Sequence, residues 1–243
     1  MEELKVTGIV LSVKPHKEKD AILDIFTAEL GKIRAVLKGV KNPKAKFKFA
    51  CQPFCFAEWV LVKSGDFFTA INVYQYDTFY ELTTDYNNFV YASVMLEVCS
   101  EILKPNIIAE RLLVMLLNSL KKIVYENGDS LIVLNKFLLD TIQYLGYGLS
   151  FKSCGVCGMP ITTDIVLSYV SNDFCCTNCC NGHGVLISKE QYNFLKIVDS
   201  TELDRIGSIK FKPELAKASL NLLKLDLENL LNFRIKSLNL DLV

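Results

Sequence analysis

The stretch VTGIVLSV, residues 6–13, predicts a β-strand, because it is apolar and rich in β-branched residues and shows no helical period. Similar runs follow at residues 22–27, 32–38, 54–63 and 67–76. The sequence Ser64-Gly65-Asp66, between the last two runs, is typical of a hairpin turn. Short strands joined by turns predict a small antiparallel barrel or sandwich, and at this strand count the OB-fold and the SH3-like barrel compete.

The sequence changes character near residue 80, where helical patterns replace strands. Helices are predicted over 85–103, 107–125 and 130–145, the second with apolar residues at i, i+3, i+4 and i+7. Helices resume at Ser188, which has capping-box spacing to Gln191, and a last helix begins at Pro213. We therefore predict an α+β protein in three parts. These are a five-stranded OB-fold barrel for nucleic acid (1–79), a helical domain (80–150 and 185–243) and an insertion (151–184).

The composition excludes several classes of protein. With 51% hydrophobic and 22% charged residues, the chain can bury a core, which excludes intrinsic disorder. The most apolar stretch, residues 107–124, carries four charges and is too short for a membrane span. The acidic start, residues 1–5, lacks the features of a secretory signal. We therefore expect a cytoplasmic protein without a membrane partner, whose cysteines are thiols or metal ligands rather than disulfides.

The insertion holds six of the nine cysteines and has the spacing of a four-cysteine zinc site. Residues 154–158 read CGVCG, and residues 176–179 read CTNC. Two CxxC turns separated by 15 to 20 residues let four thiolates converge on one ion. The sequence thus predicts one structural Zn²⁺ held by Cys154, Cys157, Cys176 and Cys179 in a zinc ribbon, in which residues 161–174 form a β-hairpin between the two CxxC turns.

Two questions about this site stay open from the sequence. The second pair is flanked by Cys175 and Cys180, and either of these or His183 could replace a ligand. The alternative for the whole cluster is a set of free or disulfide-paired structural thiols. A catalytic zinc is disfavoured, because four thiolates fill the coordination sphere and no HExxH motif supplies a base.

Basic residues concentrate in the first fifth of the chain. Residues 1–50 hold 11 Lys and Arg against 6 Asp and Glu, although the whole chain is formally neutral. No acid lies between Glu29 and Glu58, and lysines alternate there with Phe47 and Phe49. Cations that follow a phosphate backbone, with aromatic rings that stack on bases, are typical of single-strand-binding surfaces. A solvated lysine-rich loop, with both phenylalanines in the core, is the alternative. The candidate DNA-binding residues are Lys32, Arg34, Lys38, Lys41, Lys44 and Lys46.

The order of several short motifs resembles the RecO family of bacterial DNA repair proteins. The motifs are TGIVL at 7–11, FTAELGKI at 26–33, KGVK at 38–41 and QPF at 52–54, followed by the CxxC pair within a helical second half. The resemblance spans about residues 5–235. It implies an N-terminal OB-fold, a helical domain and a zinc-binding insertion, and it matches the basic residues named above.

The resemblance also implies a function and partners. Members of this family mediate recombination: they bind single- and double-stranded DNA, anneal complementary strands and help to load RecA onto coated single strands. The implied partners are RecR and the acidic C-terminal tail of single-stranded-DNA-binding protein, and the implied location is the cytoplasm, with the nucleoid. The tail needs a basic group beside an apolar groove, for which Lys121, Lys122 and Lys136 are candidates by charge alone.

No catalytic motif competes with this interpretation. The chain has no GxSxG, Walker or GxGxxG sequence and only two histidines, so we expect no enzymatic activity. An interaction adaptor with a structural zinc site and incidental DNA binding is the main alternative. A metalloenzyme acting on nucleic acid is a weaker one, because it would need an open zinc position.

Overall fold

The computed structural model describes residues 3–65, 67–105, 107–161, 165–180 and 182–239. The chain divides into two units, Met1–Thr84 with Leu96–Leu117 and Asp85–Met95 with Asn118–Val243. Asp66 of the predicted hairpin turn, and residues 162–164 before the predicted ribbon hairpin, lie outside the described residues.

The first unit contains a closed five-stranded barrel. Its strands are β1 (Glu3–His16), β2 (Asp20–Thr27), β3 (Gly31–Leu37), β4 (Phe56–Ser64) and β5 (Phe67–Asp77). They close in the order β1-β2-β3-β5-β4, with β3 and β5 parallel and every other pair antiparallel. The structure confirms the predicted barrel of the OB kind.

One long strand closes the barrel. The first part of β1 pairs with β4 and the second part with β2, and the register of the β1–β2 pair shifts between Val10 and Ser12. Such an irregularity bends a strand so that it can serve two neighbours. Inside, Trp59 is fully buried, and its indole N–H donates to the carbonyl of Gly8 at 3.0 Å. Gly8 is required there, because a Cβ would lie 2.6 Å from the carbonyl oxygen of Phe26.

The predicted helices are present close to their expected positions, and one further helix of four residues, within the insertion, was not predicted. They are α1 (Tyr86–Ile102), α2 (Glu110–Tyr125), α3 (Ser130–Tyr144), α4 (Thr177–Cys180), α5 (Lys189–Ser200) and α6 (Pro213–Leu231). Ser188 caps α5 as predicted, since its hydroxyl accepts from the N–H of Gln191 at 3.1 Å. Helices α3, α5 and α6 pack together in the second unit. Among the described residues, no helix has the length and apolarity that crossing a lipid bilayer requires.

The cysteine-rich segment forms a small three-stranded sheet. Strands β6 (Ile165–Ser168), β7 (Asp173–Cys176) and β8 (Gly184–Ile187) are ordered β7-β6-β8. The predicted hairpin is present, but β6 ends at Ser168, whose hydroxyl accepts from the N–H groups of the turn residues Val170 and Ser171. The sequence did not predict β8, because four residues are too few to show a strand period.

Candidate metal centre and nucleic-acid surface

The four cysteines with zinc spacing converge in the second unit. The sulfur atoms of Cys154, Cys157, Cys176 and Cys179 all lie within 4.8 Å of one another. Two come from the loop before β6, one ends β7 and one lies in α4. Zn–S bonds of about 2.3 Å in a tetrahedron place sulfurs about 3.8 Å apart, so a small contraction would bring this cluster to the geometry of a bound metal ion.

Backbone hydrogen bonds shape the first CxxC turn. The N–H of Cys154 donates to the carbonyl of Met159 at 2.8 Å, and the N–H of Gly158 donates to the carbonyl of Cys154 at 2.9 Å. Gly158 has a φ of 71°, a conformation that a side chain disfavours. The loop therefore folds back on itself and directs its two thiols to one point.

The electrostatics of the cluster favour a thiolate at Cys154. Burial alone would raise the pKa of this thiol, but hydrogen bonds from backbone N–H groups, including those of Cys157 and Cys176, lower its pKa to about 6. Interactions with the neighbouring Cys176 and Cys157 raise the pKa of Cys179 to about 12. Four cysteine sulfurs, one of which favours the thiolate form, are a donor set that fits Zn²⁺, because this ion binds thiolates and its binding displaces protons from thiols.

The three alternative ligands lie outside this cluster in the part of the chain that the structure describes. Cys175 and Cys180 are buried with Val166 in a small apolar core, and burial raises the pKa of Cys175. The thiol of Cys180 contacts the carbonyl oxygen of Thr177 at 3.4 Å. His183 is exposed in the loop before β8. Cys175 and Cys180 therefore stabilise the small sheet from its apolar side.

Asp173 connects the ribbon to the residues before it. One of its carboxylate oxygens accepts from the N–H of Ser150 at 2.6 Å, and a Cβ on Gly155 would collide with this side chain. Next to it, the rings of Phe151, Phe174 and Tyr192 contact one another with centroids 5.1 to 5.5 Å apart. The ribbon is thus fixed to α5 by an aromatic cluster as well as by its own sheet.

The basic residues predicted for DNA binding fall into two groups. Lys32 and Arg34 lie on β3, where Ile33, Ala35 and Leu37 point into the barrel. Lys38 follows the end of β3 and is not part of the strand, in contrast to the predicted range of 32–38. The exposed lysines of the following loop, Lys38, Lys41, Lys44 and Lys46, are called the loop lysines below.

The loop lysines make few contacts that would neutralise their charge. The amine of Lys41 donates to the carbonyl of Lys17 at 3.0 Å, and the amine of Lys46 lies 4.9 Å from the ring centroid of Phe47. Phe47 and Phe49 are half-buried against the barrel core. The two phenylalanines therefore anchor the loop, which favours the core interpretation over base stacking, while its lysines extend into solvent.

Lys32 and Arg34 are instead held by specific partners. The amine of Lys32 donates to the carbonyl and to the hydroxyl of Ser100 at 2.7 and 2.8 Å. Burial lowers the pKa of this amine. The Nε of Arg34 donates to Asp24 at 3.0 Å, and the Arg34 side chain remains 57% exposed. Lys32 is consequently a structural link within the first unit, and Arg34 is a positioned cation.

Asp24 was not predicted from the sequence. This carboxylate is 5% exposed and accepts hydrogen bonds from the hydroxyl of Ser12 at 2.8 Å and from the Nε of Arg34. The amine of Lys14 lies 3.5 Å from the same carboxylate. Burial alone would raise the pKa of Asp24, but the hydrogen bonds from Ser12 and Arg34 hold it below its usual value. The position of an acid in the middle of the apolar strand β2 could have indicated this residue from the sequence.

Taken together, these features define a class of protein in which a closed OB-like barrel with a basic loop is joined to a helical region that carries a four-cysteine cluster. Two family models match nearly the whole chain: Recombination protein O N terminal over residues 1–76, and Recombination protein O C terminal over residues 83–239. The chain therefore belongs to the RecO family of DNA repair proteins.

Individual relatives agree with this assignment. The chain is similar to the DNA repair protein RecO of Acetivibrio thermocellus, with 29% identity over 94% of this chain and 93% of the relative. It is also similar to the RecO proteins of Clostridium perfringens and Alkaliphilus metalliredigens. The first is 28% identical over 85% of this chain and 84% of the relative. The second is 26% identical over 91% of each chain.

Proposed function

We propose that this protein is a non-enzymatic recombination mediator. It binds single- and double-stranded DNA, anneals complementary single strands and helps to load RecA onto strands coated by single-stranded-DNA-binding protein. The observation that carries the proposal is the run of exposed loop lysines on an OB-like barrel of the RecO family. The protein would work in the bacterial cytoplasm, with the nucleoid.

The loop lysines supply the DNA affinity. They are exposed, they follow one another within nine residues, and no acid lies in the sequence between Glu29 and Glu58 to offset them. Lysines that neutralise phosphates release condensed counterions, which gives binding that is independent of sequence and sensitive to salt. Such a surface suits an annealing protein, because it must accept any pair of complementary strands.

The four-cysteine cluster holds one structural Zn²⁺. Its residues supply four sulfur donors, which complete a tetrahedral coordination sphere and leave no position for a reacting water. The metal stabilises the small sheet of the insertion, residues 151–184, whose apolar core is small. We assign DNA binding to residues 1–79 and partner binding to the helical residues 80–150 and 185–243.

RecR and the acidic tail of single-stranded-DNA-binding protein are the proposed protein partners. Two of the lysines considered for the tail are engaged elsewhere. Lys122 contacts Glu126 and the carbonyl of Asp204, both at 2.7 Å, and Lys136 pairs with Asp140 at 2.7 Å. Both lysines are buried, which leaves them unsuited to capture an acidic peptide.

A groove between α5 and the segment before α6 fits the tail better. It has a volume of about 500 Å³, and its apolar wall includes Phe194, Ile197 and Phe211. Its charged lining consists of the exposed cations Lys210 and Lys212 and one exposed acid, Glu190. An acidic peptide with apolar residues could place its carboxylates on the lysines and its apolar side chains in the groove. We therefore propose this groove as the tail site.

The proposed DNA surface is tested by reversing the charge of Lys38, Lys41 and Lys44 together. Binding of a single-stranded oligonucleotide should weaken, and the slope of log affinity against log salt should fall by about 2, at about 0.7 per lost phosphate contact. The control reverses Lys189, Lys196 and Lys217, three exposed lysines of α5 and α6 that change the net charge equally. Equal affinities and slopes for both triple variants would contradict the assignment of this surface.

A further inference from the structure

A pocket of about 350 Å³ opens in the first unit, between β3, β5 and the segment that follows α1. Leu103 and Pro105 contribute the wall from that segment, where Pro105 bridges to Lys32 on β3. Pockets that bind small ligands have volumes of roughly 300 to 1,000 Å³, are mostly apolar and carry a few placed polar groups. This pocket has all three properties.

The apolar part of the pocket includes an exposed phenylalanine. Ala35 on β3 is in register with Phe68 on the parallel strand β5, so Arg34 and Phe67 are the preceding residues on neighbouring strands. Phe67 is 39% exposed, whereas Phe68 packs partly against the barrel core. Phe67 therefore offers a ring to whatever enters the pocket, next to a guanidinium group.

The polar part of the pocket is fixed by buried contacts. Asp24 accepts from the Nε of Arg34, which orients the guanidinium and leaves its four terminal N–H donors available for other contacts. The hydrogen bonds of Lys32 to Ser100 link β3 to α1, the helix that precedes Leu103 and Pro105 of the pocket wall. An aromatic ring, a positioned guanidinium and a rigid wall form a site organised before its ligand arrives.

We propose that this pocket takes one unstacked base of a DNA single strand, with Phe67 against the face of the base and Arg34 on its edge or its phosphate. This inference rests on the proposed DNA binding. Arg34 and the loop lysines lie on one continuous segment, so a strand bound along that loop would reach the pocket. A base within a duplex is paired and stacked and cannot enter, so the pocket gives the protein a preference for single strands.

The test compares two single strands of about 16 nucleotides, one with bases and one abasic throughout, which share the same phosphate backbone. The variants are Phe67→Ala and the control Tyr74→Ala, which removes an exposed ring from the same strand outside the pocket. Phe67→Ala should weaken binding of the base-bearing strand by about 5- to 100-fold, because stacking on one aromatic ring contributes that much. Its affinity for the abasic strand, and both affinities of Tyr74→Ala, should equal those of the wild type.

The outcomes separate this inference from the function on which it rests. Equal wild-type affinities for the two strands, or an equal loss by Phe67→Ala on both, would overturn the pocket and leave backbone binding by the loop lysines intact. Failure of the wild-type protein to bind either strand would overturn the proposed DNA binding and the pocket with it.

Discussion

Asp24 accepts a hydrogen bond from the Nε of Arg34 at 3.0 Å, and its carboxylate is almost completely buried while the arginine side chain is largely exposed. A buried carboxylate therefore holds an exposed cation in place. Ser12 supplies a second hydrogen bond to the same carboxylate. The arrangement keeps the carboxylate ionised and restricts the orientation of the guanidinium beside the pocket.

Asp24→Asn should lower the free energy of unfolding by about 1 to 2 kcal/mol at neutral pH, because two charge-assisted hydrogen bonds are weakened and Arg34 is solvated. The folded-state pKa of Asp24 lies below its unfolded value. Its stabilisation is therefore present above about pH 4 and is lost as pH falls below that value. Urea unfolding of both proteins across this range is the measurement. A difference that stays constant down to about pH 3 would contradict the assigned ionisation.

Much of this architecture follows from local sequence. The strand runs, the cap at Ser188 and the CxxC spacing are short-range signals, and the structure places strands, a helix start and a four-sulfur cluster at these positions. The partner of Lys32 could not be predicted, because Ser100 lies 68 residues away and approaches only in the folded unit. The burial of Lys122 and Lys136 could not be predicted for the same reason. Their amines donate to backbone carbonyls that lie more than 60 residues away in the sequence.

The assignment of the zinc ligands predicts different results for two neighbouring cysteines. Cys179→Ser should lower bound zinc from about one equivalent to below about half, because the coordination sphere loses a thiolate. Cys180→Ser, the matched control one residue away, should keep its zinc, because this side chain lies in the apolar core of the ribbon. Metal analysis of the purified variants decides between them. Zinc loss in the Cys180→Ser variant alone would transfer the ligand assignment to that residue.

Replacement of Asp226 should give a variant that is more stable than the wild-type protein. Its carboxylate is fully buried in α6 and has no hydrogen-bond partner among the described residues. Burial, assisted by the charge of Asp173, raises its pKa to about 6. Because the folded pKa exceeds the unfolded value, the ionised carboxylate destabilises the fold above about pH 6, and this cost disappears below about pH 4.

Asp226→Asn should therefore raise the free energy of unfolding by on the order of 2 kcal/mol at about pH 8, with a gain that shrinks to nearly zero at about pH 4. Urea titrations at both pH values measure it. Glu214→Gln, at an exposed position of the same helix, is the control and should change stability little at either pH. An Asp226→Asn protein that is less stable than the wild type at about pH 8 would show that the buried carboxylate has a stabilising partner.

If the groove between α5 and the segment before α6 binds the acidic tail, the binding should depend on the charges of its two lysines. Reversal of Lys210 and Lys212 should weaken binding of a synthetic peptide with the acidic tail sequence by about tenfold or more, measured by fluorescence anisotropy. Reversal of the exposed Lys121 and Lys217 is the control with the same change in net charge. A larger loss in the control would move the tail site to the surface around those lysines.

The mediator function is tested most directly by annealing of complementary single strands, first bare and then coated with the cognate single-stranded-DNA-binding protein, across a salt titration. We expect annealing that persists on the coated strands and weakens as salt rises, because lysine–phosphate contacts carry it. Folded, zinc-loaded protein that anneals neither bare nor coated strands would contradict the mediator function and favour an adaptor that acts only through its protein partners.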